Sequence, residues 1–178
     1  MNVRNTKTKK LVLSALFLAI GMVLPFLTGQ IKEIGDSLLP MHLPVMLCGF
    51  WCGGWYGLAV GAILPILRSV CFGMPPLFPN AVWMAAELAT YGAVTGLLYN
   101  RWFKKQLSWL YGSLVSAMVA GRLVWGVTKW ALLAVRGKLF TLQAFITGGF
   151  VDALPGIVLQ LVLVPTIIKL LEAWEERR

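Results

Sequence analysis

Long apolar runs alternate along the chain with short polar or proline-rich segments. Charged residues are rare inside the runs, and the runs are too long to be strands of a globular domain. About 20 consecutive apolar residues are the length of a transmembrane helix. The pattern therefore predicts an all-α membrane protein, with apolar runs at about Leu11–Thr28, Leu43–Phe72, Asn80–Tyr99, Leu107–Val135 and Leu142–Leu171.

The run from Leu43 to Phe72 is ambiguous, because about 30 residues could form one overlong helix or two short ones. Its centre reads Gly53-Gly54-Trp55-Tyr56-Gly57. Paired glycines favour a turn, and aromatic residues suit a membrane interface. The pattern predicts two spans of about 12–17 residues, short enough to need tilting, local thinning of the bilayer or shielding by neighbours. The chain is then a compact bundle of six transmembrane helices.

Basic residues divide unevenly between the two sides of this bundle. With six spans, ten of them lie on one side and three on the other. Because basic loops stay in the cytoplasm, both termini are predicted to be cytoplasmic. With five spans the 101–105 cluster would cross the membrane and the bias would be lost. The ten are Arg4, Lys7, Lys9, Lys10, Arg101, Lys104, Lys105, Lys169, Arg177 and Arg178, and the three are Lys32, Arg136 and Lys138.

Composition agrees with a single membrane domain over residues 1–178. The hydrophobic fraction is 58%, the charged fraction 13% and the mean hydropathy +0.77, whereas an ordinary soluble domain carries about 25% charge. The net charge of +9 follows the predicted topology and not a basic, aromatic-rich helix face, which argues against nucleic-acid binding. No small-residue cleavage site follows the first run, so we expect no cleavable signal and a basic cytoplasmic segment over residues 1–10.

Five ionisable residues lie inside the predicted spans, and all five fall in the same half of the bilayer. They are Arg68, Glu87, Arg122, Lys129 and Asp152. A charge in the hydrocarbon core costs roughly 2.5–3.5 kcal/mol and persists mainly where it pairs or lines a cavity. Five charges at one depth predict a polar pocket open to the outer side. The alternative is internal salt bridging, for example Arg122 with Asp152 and Arg68 with Glu87.

Aromatic residues share helical faces with these charges. The faces are Trp83, Glu87 and Tyr91 in the fourth span, Arg122, Trp125, Gly126 and Lys129 in the fifth, and Gly149, Asp152 and Gly156 in the sixth. Ring stacking with a few charged anchors is how small heterocyclic or carboxylated metabolites are held, so the charged and aromatic members are candidate substrate contacts. Three cations against two acids favour an anionic substrate, whereas a neutral or cationic ring would use Glu87 and Asp152.

His42, the only histidine, lies at the mouth of the second span. With no second histidine or acid at ligand spacing, it predicts a substrate contact or a loop anchor and no metal site. The chain contains no Walker loop, Ser/His dyad or other catalytic motif, so we expect no enzyme activity and no cofactor.

Ala15 and Ala19 lie one turn apart in the first span. Small residues at this spacing form a flat stripe on which a helix can pack closely, either within the chain or on another protein. Glycines recur every four positions across the predicted turn, at Gly49, Gly53, Gly57 and Gly61. They indicate close packing of the second and third spans.

This layout resembles the substrate-binding S components of energy-coupling factor (ECF) vitamin transporters. The resemblance covers essentially the whole chain. It runs through LVLSALFLAIGMVLPFL, residues 11–27, and then through residues 39–100, LPMHLPVMLCGFWCGGWYGLAVGAILPILRSVCFGMPPLFPNAVWMAAELATYGAVTGLLYN.

The resemblance implies a role for each part of the chain. In that family the alanine stripe contacts the coupling membrane subunit, which carries over to Ala15 and Ala19. The outer loop between the first two spans caps the pocket, which maps to Gln30–His42, and the later helices bind the substrate. Two cytoplasmic ATPases supply the energy.

The implied activity is capture of a vitamin or related micronutrient, of a heteroaromatic or anionic class, at the outer face of a bacterial cell membrane. Two other functions stay open from the residues alone. One is a non-transporting membrane scaffold, which needs no charged and aromatic residues on shared faces. The other is a self-sufficient small-solute carrier.

Overall fold

The computed structural model describes residues 7–28, 37–101 and 106–177, and these contain helices and no strand. The prediction of an all-α fold is confirmed. The α-helices are α1 Lys7–Val23, α2 His42–Cys52, α3 Gly54–Phe72, α4 Val82–Arg101, α5 Leu107–Val135, α6 Leu142–Ile146 and α7 Leu154–Glu176. A 3₁₀ turn, Leu24–Thr28, follows α1, and π-helical turns precede α4 (Leu77–Ala81) and follow α6 (Thr147–Val151).

Five helical segments of the described chain are long and apolar enough to cross a membrane. They are Lys7–Leu27, Gly54–Phe72, Leu77–Tyr99, Leu107–Val135 and Leu154–Glu176. Two shorter apolar segments, His42–Cys52 and Leu142–Val151, accompany them. The architecture is that of an all-α membrane protein, while the count of six spans and the side of the termini stay predictions.

The short helix α2 lies at the centre of the bundle. Its 11 residues give a length of about 16 Å, well short of the roughly 30 Å of a bilayer core. All of them except Leu43 and Trp51 are buried. The helices α1, α3, α4 and α7 pack around it. Of tilting, local thinning of the bilayer and shielding by neighbours, the structure therefore shows shielding.

A single residue separates α2 from α3. Gly53 has a φ of 112°, which a residue without Cβ adopts readily. The predicted break is therefore confirmed. It is shorter than the sequence suggested, because residues 54–57 already belong to the first turn of α3.

Glycines bring α2 and α3 against α4. A Cβ at Gly57 would lie 2.7 Å from the Cα of Gly49, and it would also overlap the backbone of Gly92. A Cβ at Gly96 would overlap the backbone of Gly49 and Gly54. The predicted close packing of α2 on α3 is confirmed, and Gly92 and Gly96 extend it to α4.

The predicted sixth span is interrupted. Asp152 and Ala153 form a turn between the π-helical turn and α7. Pro155 stands in the first turn of α7, where its missing N–H leaves no hydrogen bond unmade and its fixed φ suits the start of a helix. Asp152 therefore lies at the break, where it is exposed, and not inside a continuous helix as predicted.

Ring contacts show which helix ends lie together. The rings of Phe26 and Phe72 pack edge to face at 4.9 Å, so the segment after α1 meets the end of α3. The Arg136 guanidinium lies 4.6 Å from the ring centre of Phe78, so the end of α5 meets the segment before α4. These ends, together with the start of α2 and of α7, are called the site end below.

A hydrogen-bonded cluster joins α4 and α7 at the opposite end. The Tyr99 hydroxyl donates to Glu172 Oε1 at 2.6 Å, and Lys169 Nζ donates to Glu172 Oε2 at 3.0 Å. Tyr99 also packs edge to face on Phe50 of α2 at 5.2 Å. This cluster therefore marks the end of the bundle opposite the site end.

Candidate functional site

A buried ion pair joins α4 to α5 near the site end. Arg122 Nη1 donates to Glu87 Oε1 at 2.8 Å. Arg122 is 3% exposed and Glu87 2% exposed, so little water screens the two charges. The pairing of Arg122 with Asp152 considered from the sequence is wrong, because Arg122 pairs with Glu87 and Asp152 is exposed in the turn before α7.

His42 and Tyr91 surround the acid of this pair. His42 Nε2 lies 3.2 Å from Glu87 Oε1, close enough for an ion pair if the ring is protonated, although the groups are not aligned for a hydrogen bond. The rings of His42 and Tyr91 meet edge to face at 5.0 Å. Tyr91 reaches this position because Gly121 of α5 leaves space, and a Cβ there would overlap the tyrosine ring.

Several polar atoms in this group have no hydrogen-bond partner within the described chain. They are Arg122 Nε and Nη2 and both ring nitrogens of His42, all buried. Leaving a buried donor or acceptor unpaired costs about 1–3 kcal/mol for each group. A chain that keeps such groups at one place has the features of a site where a ligand supplies the missing partners.

Lys129 lies among aromatic rings one to two turns beyond Arg122 on the same face. Its Nζ is 4.3 Å from the ring centre of Trp125, 5.2 Å from Phe140 and 5.4 Å from Trp83. The Arg122 guanidinium is 5.9 Å from the Trp125 ring. Trp125 thus lies between two cations, each attracted to its π face. The structure brings together seven predicted site residues: His42, Trp83, Glu87, Tyr91, Arg122, Trp125 and Lys129.

Arg68 lies apart from this group. It is buried on α3, where Nη1 donates to the backbone carbonyl of Met22. Its guanidinium also lies 4.9 Å from the ring centre of Phe26 and 5.4 Å from that of Phe72. The suggested pairing of Arg68 with Glu87 is therefore replaced by contacts that fasten α3 to the end of α1.

The sequence predicts three cations against two acids at the site, and the structure shows a smaller excess of positive charge there. Glu87 neutralises Arg122, Arg68 lies elsewhere and Asp152 is exposed. Lys129 lies among the rings of Trp83, Trp125 and Phe140. The geometry therefore offers one neutralised pair with free N–H groups and a second cation beside the rings.

Gln160 is a buried polar residue that the sequence analysis missed. It lies on α7, is 1% exposed, and neither amide atom has a hydrogen-bond partner among the described residues. The signal was available, because a single glutamine interrupts the apolar run Ile157–Val164.

The segment before α2 folds into the bundle at the site end. Residues 39–42 are buried. A Cβ at Gly156, near the start of α7, would lie 2.6 Å from the carbonyl oxygen of Ser37 and 2.9 Å from that of Leu38. The described part of the predicted cap thus packs closely on α7, while residues 29–36 of that loop lie outside the described residues.

The alanine stripe of α1 faces outward. Ala15 and Ala19 are both exposed, whereas Ser14 and Phe17 turn towards the bundle. No helix among the described residues covers Ala15 and Ala19. The stripe is available to lipid or to another membrane protein.

An open apolar pocket of about 310 Å³ lies on the outside of α5 near the site end. It contains none of the charged residues described above. Its lining is Leu123, Gly126, Val127, Trp130, Phe140, Thr141, Leu142 and Phe145. Because this lining is apolar, it suits lipid chains better than a polar solute.

Comparison with known proteins gives one match. The family model described as "ECF transporter, substrate-specific component" matches residues 9–168, which include every residue of the site. No curated protein and no solved structure matches the chain.

Proposed function

Because the chain belongs to the family of ECF transporter substrate-specific components, a family of multi-pass substrate-binding subunits, we propose that it captures a vitamin or related micronutrient. Capture takes place at the outer face of a bacterial plasma membrane, at the site end of the bundle. The bound molecule is then delivered for uptake driven by a coupling membrane subunit and two cytoplasmic ATPases. This chain itself carries out no chemical reaction.

The observation that carries this proposal is the buried Glu87–Arg122 pair with its unused hydrogen-bonding groups. A pair kept only for structure would gain most from full hydrogen bonding of both partners. Here Arg122 Nε and Nη2 and both ring nitrogens of His42 have no hydrogen-bond partner in the described chain. A ligand that satisfies them would gain affinity without having to displace an existing contact.

The proposed substrate is a small heteroaromatic or anionic molecule. Arg122 and Lys129 would attract an anionic or carbonyl group, and Glu87 and His42 would accept a donor. The rings of Trp83, Tyr91 and Trp125 would pack on the flat part of the molecule. Arg68 and Asp152 are not part of the proposed site. Arg68 joins α3 to α1, and Asp152 is exposed.

Two surfaces would serve delivery. The segment that ends at His42 would cap the site, since residues 39–42 are buried and Ser37 and Leu38 pack on Gly156 of α7. The exposed stripe of Ala15 and Ala19 would dock on the coupling subunit, since small side chains let two helices approach closely.

The direct test is native mass spectrometry of the protein purified in detergent from cells grown in rich medium, followed by denaturation and identification of the released molecule. We expect one small molecule at a stoichiometry approaching one per chain. A protein that carries none, and that binds none from a panel of soluble vitamins, would contradict the proposal and favour a scaffold.

A further inference from the structure

Gln160 combines deep burial with an amide that the chain does not use. The side chain is 1% exposed, and neither Oε1 nor Nε2 has a partner among the described residues. Its neighbours along α7 are apolar. Because an unpaired buried amide costs stability, a glutamine is retained at such a position when something else pairs with it.

Gln160 lies on α7 close to the point where α7 contacts the segment that leads to His42. Gly156 packs against Ser37 and Leu38, and Gln160 lies one turn further along the same face of α7. On the facing segment, His42 N donates to Leu39 O at 3.1 Å, which turns the chain from Leu38 into α2. Gln160 follows Gly156 by four residues on α7, His42 follows Leu38 by four residues, and α2 packs on α7. We therefore place the Gln160 amide on the side of α7 that faces the start of α2.

We propose that Gln160 is a specificity-determining residue of the substrate site, and that the substrate presents a hydrogen-bond donor and acceptor side by side. A carboxamide, a cyclic urea and a ring lactam all have this edge. The inference rests on the proposed function and narrows its substrate class.

The reason lies in what each group can offer. A glutamine amide has a donor and an acceptor in one plane, so a matching edge forms two hydrogen bonds with it. Arg122 offers only donors, through Nε and Nη2. A simple carboxylate would satisfy Arg122, but it would leave Gln160 Oε1 without a donor. A molecule with a carbonyl and an adjacent N–H satisfies both atoms of the Gln160 amide, and a further acceptor on the same molecule would serve Arg122.

The experiment measures binding of defined probes to the full chain in detergent micelles, by calorimetry or tryptophan fluorescence. Nicotinamide, biotin, riboflavin and folate carry the proposed edge, whereas nicotinate and lipoate lack it. We expect at least one of the first four to bind, and neither acid to bind comparably. Nicotinamide and nicotinate are a matched pair that differ only in this group.

The matched variants are Gln160→Leu and Gln143→Leu, because Gln143 is exposed. For the probe that binds, Gln160→Leu should weaken affinity by about 10- to 100-fold, the loss of one to two hydrogen bonds. It should not lower the unfolding temperature of the ligand-free protein, since the amide has no partner there. Gln143→Leu should change neither quantity.

Three results would overturn the inference. Unchanged affinity in Gln160→Leu would remove this residue from recognition. A loss of affinity accompanied by a lower unfolding temperature would make the amide a structural group. Binding of an acid that lacks the edge, or co-purification of such a molecule, would refute the substrate class while leaving the proposed function intact. Absence of any bound molecule would instead refute the proposed function.

Discussion

Glu87 on α4 and Arg122 on α5 form a buried salt bridge of 2.8 Å, and Arg122 keeps two further N–H groups that no described residue accepts. A salt bridge of this kind can hold two helices together, bind a substrate or do both. Removing one partner strands the other charge in a medium of low dielectric constant, which typically costs about 3–5 kcal/mol. A single substitution therefore affects both stability and substrate binding, whereas a double substitution distinguishes the structural role from the binding role.

We expect Arg122→Gln and Glu87→Gln each to lower the unfolding temperature and to weaken substrate binding. The double variant carries no stranded charge, so it should recover most of the stability. Its affinity should stay about 10- to 150-fold lower, because charge-assisted hydrogen bonds worth roughly 1.5–3 kcal/mol are lost. Thermal unfolding and quantification of the co-purified molecule measure the two effects.

The exposed cation Lys138 provides the control for this series. Lys138→Gln changes the net charge as Arg122→Gln does, but it should leave both stability and binding unaltered. Wild-type affinity in the double variant would assign the salt bridge to structure alone.

Sequence patterns predicted the faces of α4 and α5 correctly but not the partners of their charges. Spacing of three and four places Glu87 and Arg122 on definite sides of their helices. It does not say which helices are neighbours, so Asp152 was as reasonable a partner for Arg122 as Glu87. The position of Asp152 depended on Pro155, whose preference for the first turn of a helix divides the predicted sixth span.

Two other features could not be read from spacing. Arg68 is satisfied mainly by a backbone carbonyl, that of Met22, and by aromatic rings, and a carbonyl acceptor has no sequence signature. Gln160 carries no charge, and a single neutral polar residue in an apolar run does not by itself indicate a site. By contrast, the break at Gly53 was predictable because paired glycines favour a turn.

The cluster at the opposite end should act on stability alone. Tyr99→Phe removes the hydroxyl that donates to Glu172 at 2.6 Å. A hydrogen bond to a charged group contributes about 1.5–3 kcal/mol, so the unfolding temperature should fall while affinity stays unchanged. Tyr111 is exposed, and Tyr111→Phe should leave stability as it is. A change of affinity in Tyr99→Phe would show that the two ends are coupled.

The glycine contacts predict opposite effects for one substitution at two positions. Gly92→Ala places a Cβ into the backbone of Gly57 and should lower stability by about 1–3 kcal/mol. Gly112 lies in α5 with open space around it, so Gly112→Ala should be neutral or raise stability by about 0.5–1 kcal/mol. Thermal unfolding of the two variants gives the comparison. Equal effects would contradict the close approach of α3 to α4.

The predicted topology can be tested by labelling introduced cysteines with a membrane-impermeant thiol reagent in intact cells. The background variant lacks Cys48, Cys52 and Cys71. A cysteine at Gln106 should resist labelling and one at Gly137 should react, because six spans place them on opposite sides. A cysteine at Asn5, which lies outside the described residues, should also resist. Labelling at Gln106 would overturn the six-span arrangement and the outer location of the site.

The alanine stripe should matter for transport and not for binding. Because Ala15 and Ala19 are exposed, tryptophan side chains at both positions would point away from the described bundle and should leave substrate binding unchanged. The same side chains would hold the coupling subunit away from α1, so uptake of labelled substrate by cells should be abolished. Ala131→Trp adds one tryptophan on the exposed face of α5 near the site end and should preserve uptake. Normal uptake in the Ala15→Trp/Ala19→Trp variant would show that the partner docks on another surface, whereas loss of binding would show that α1 contributes to the site itself.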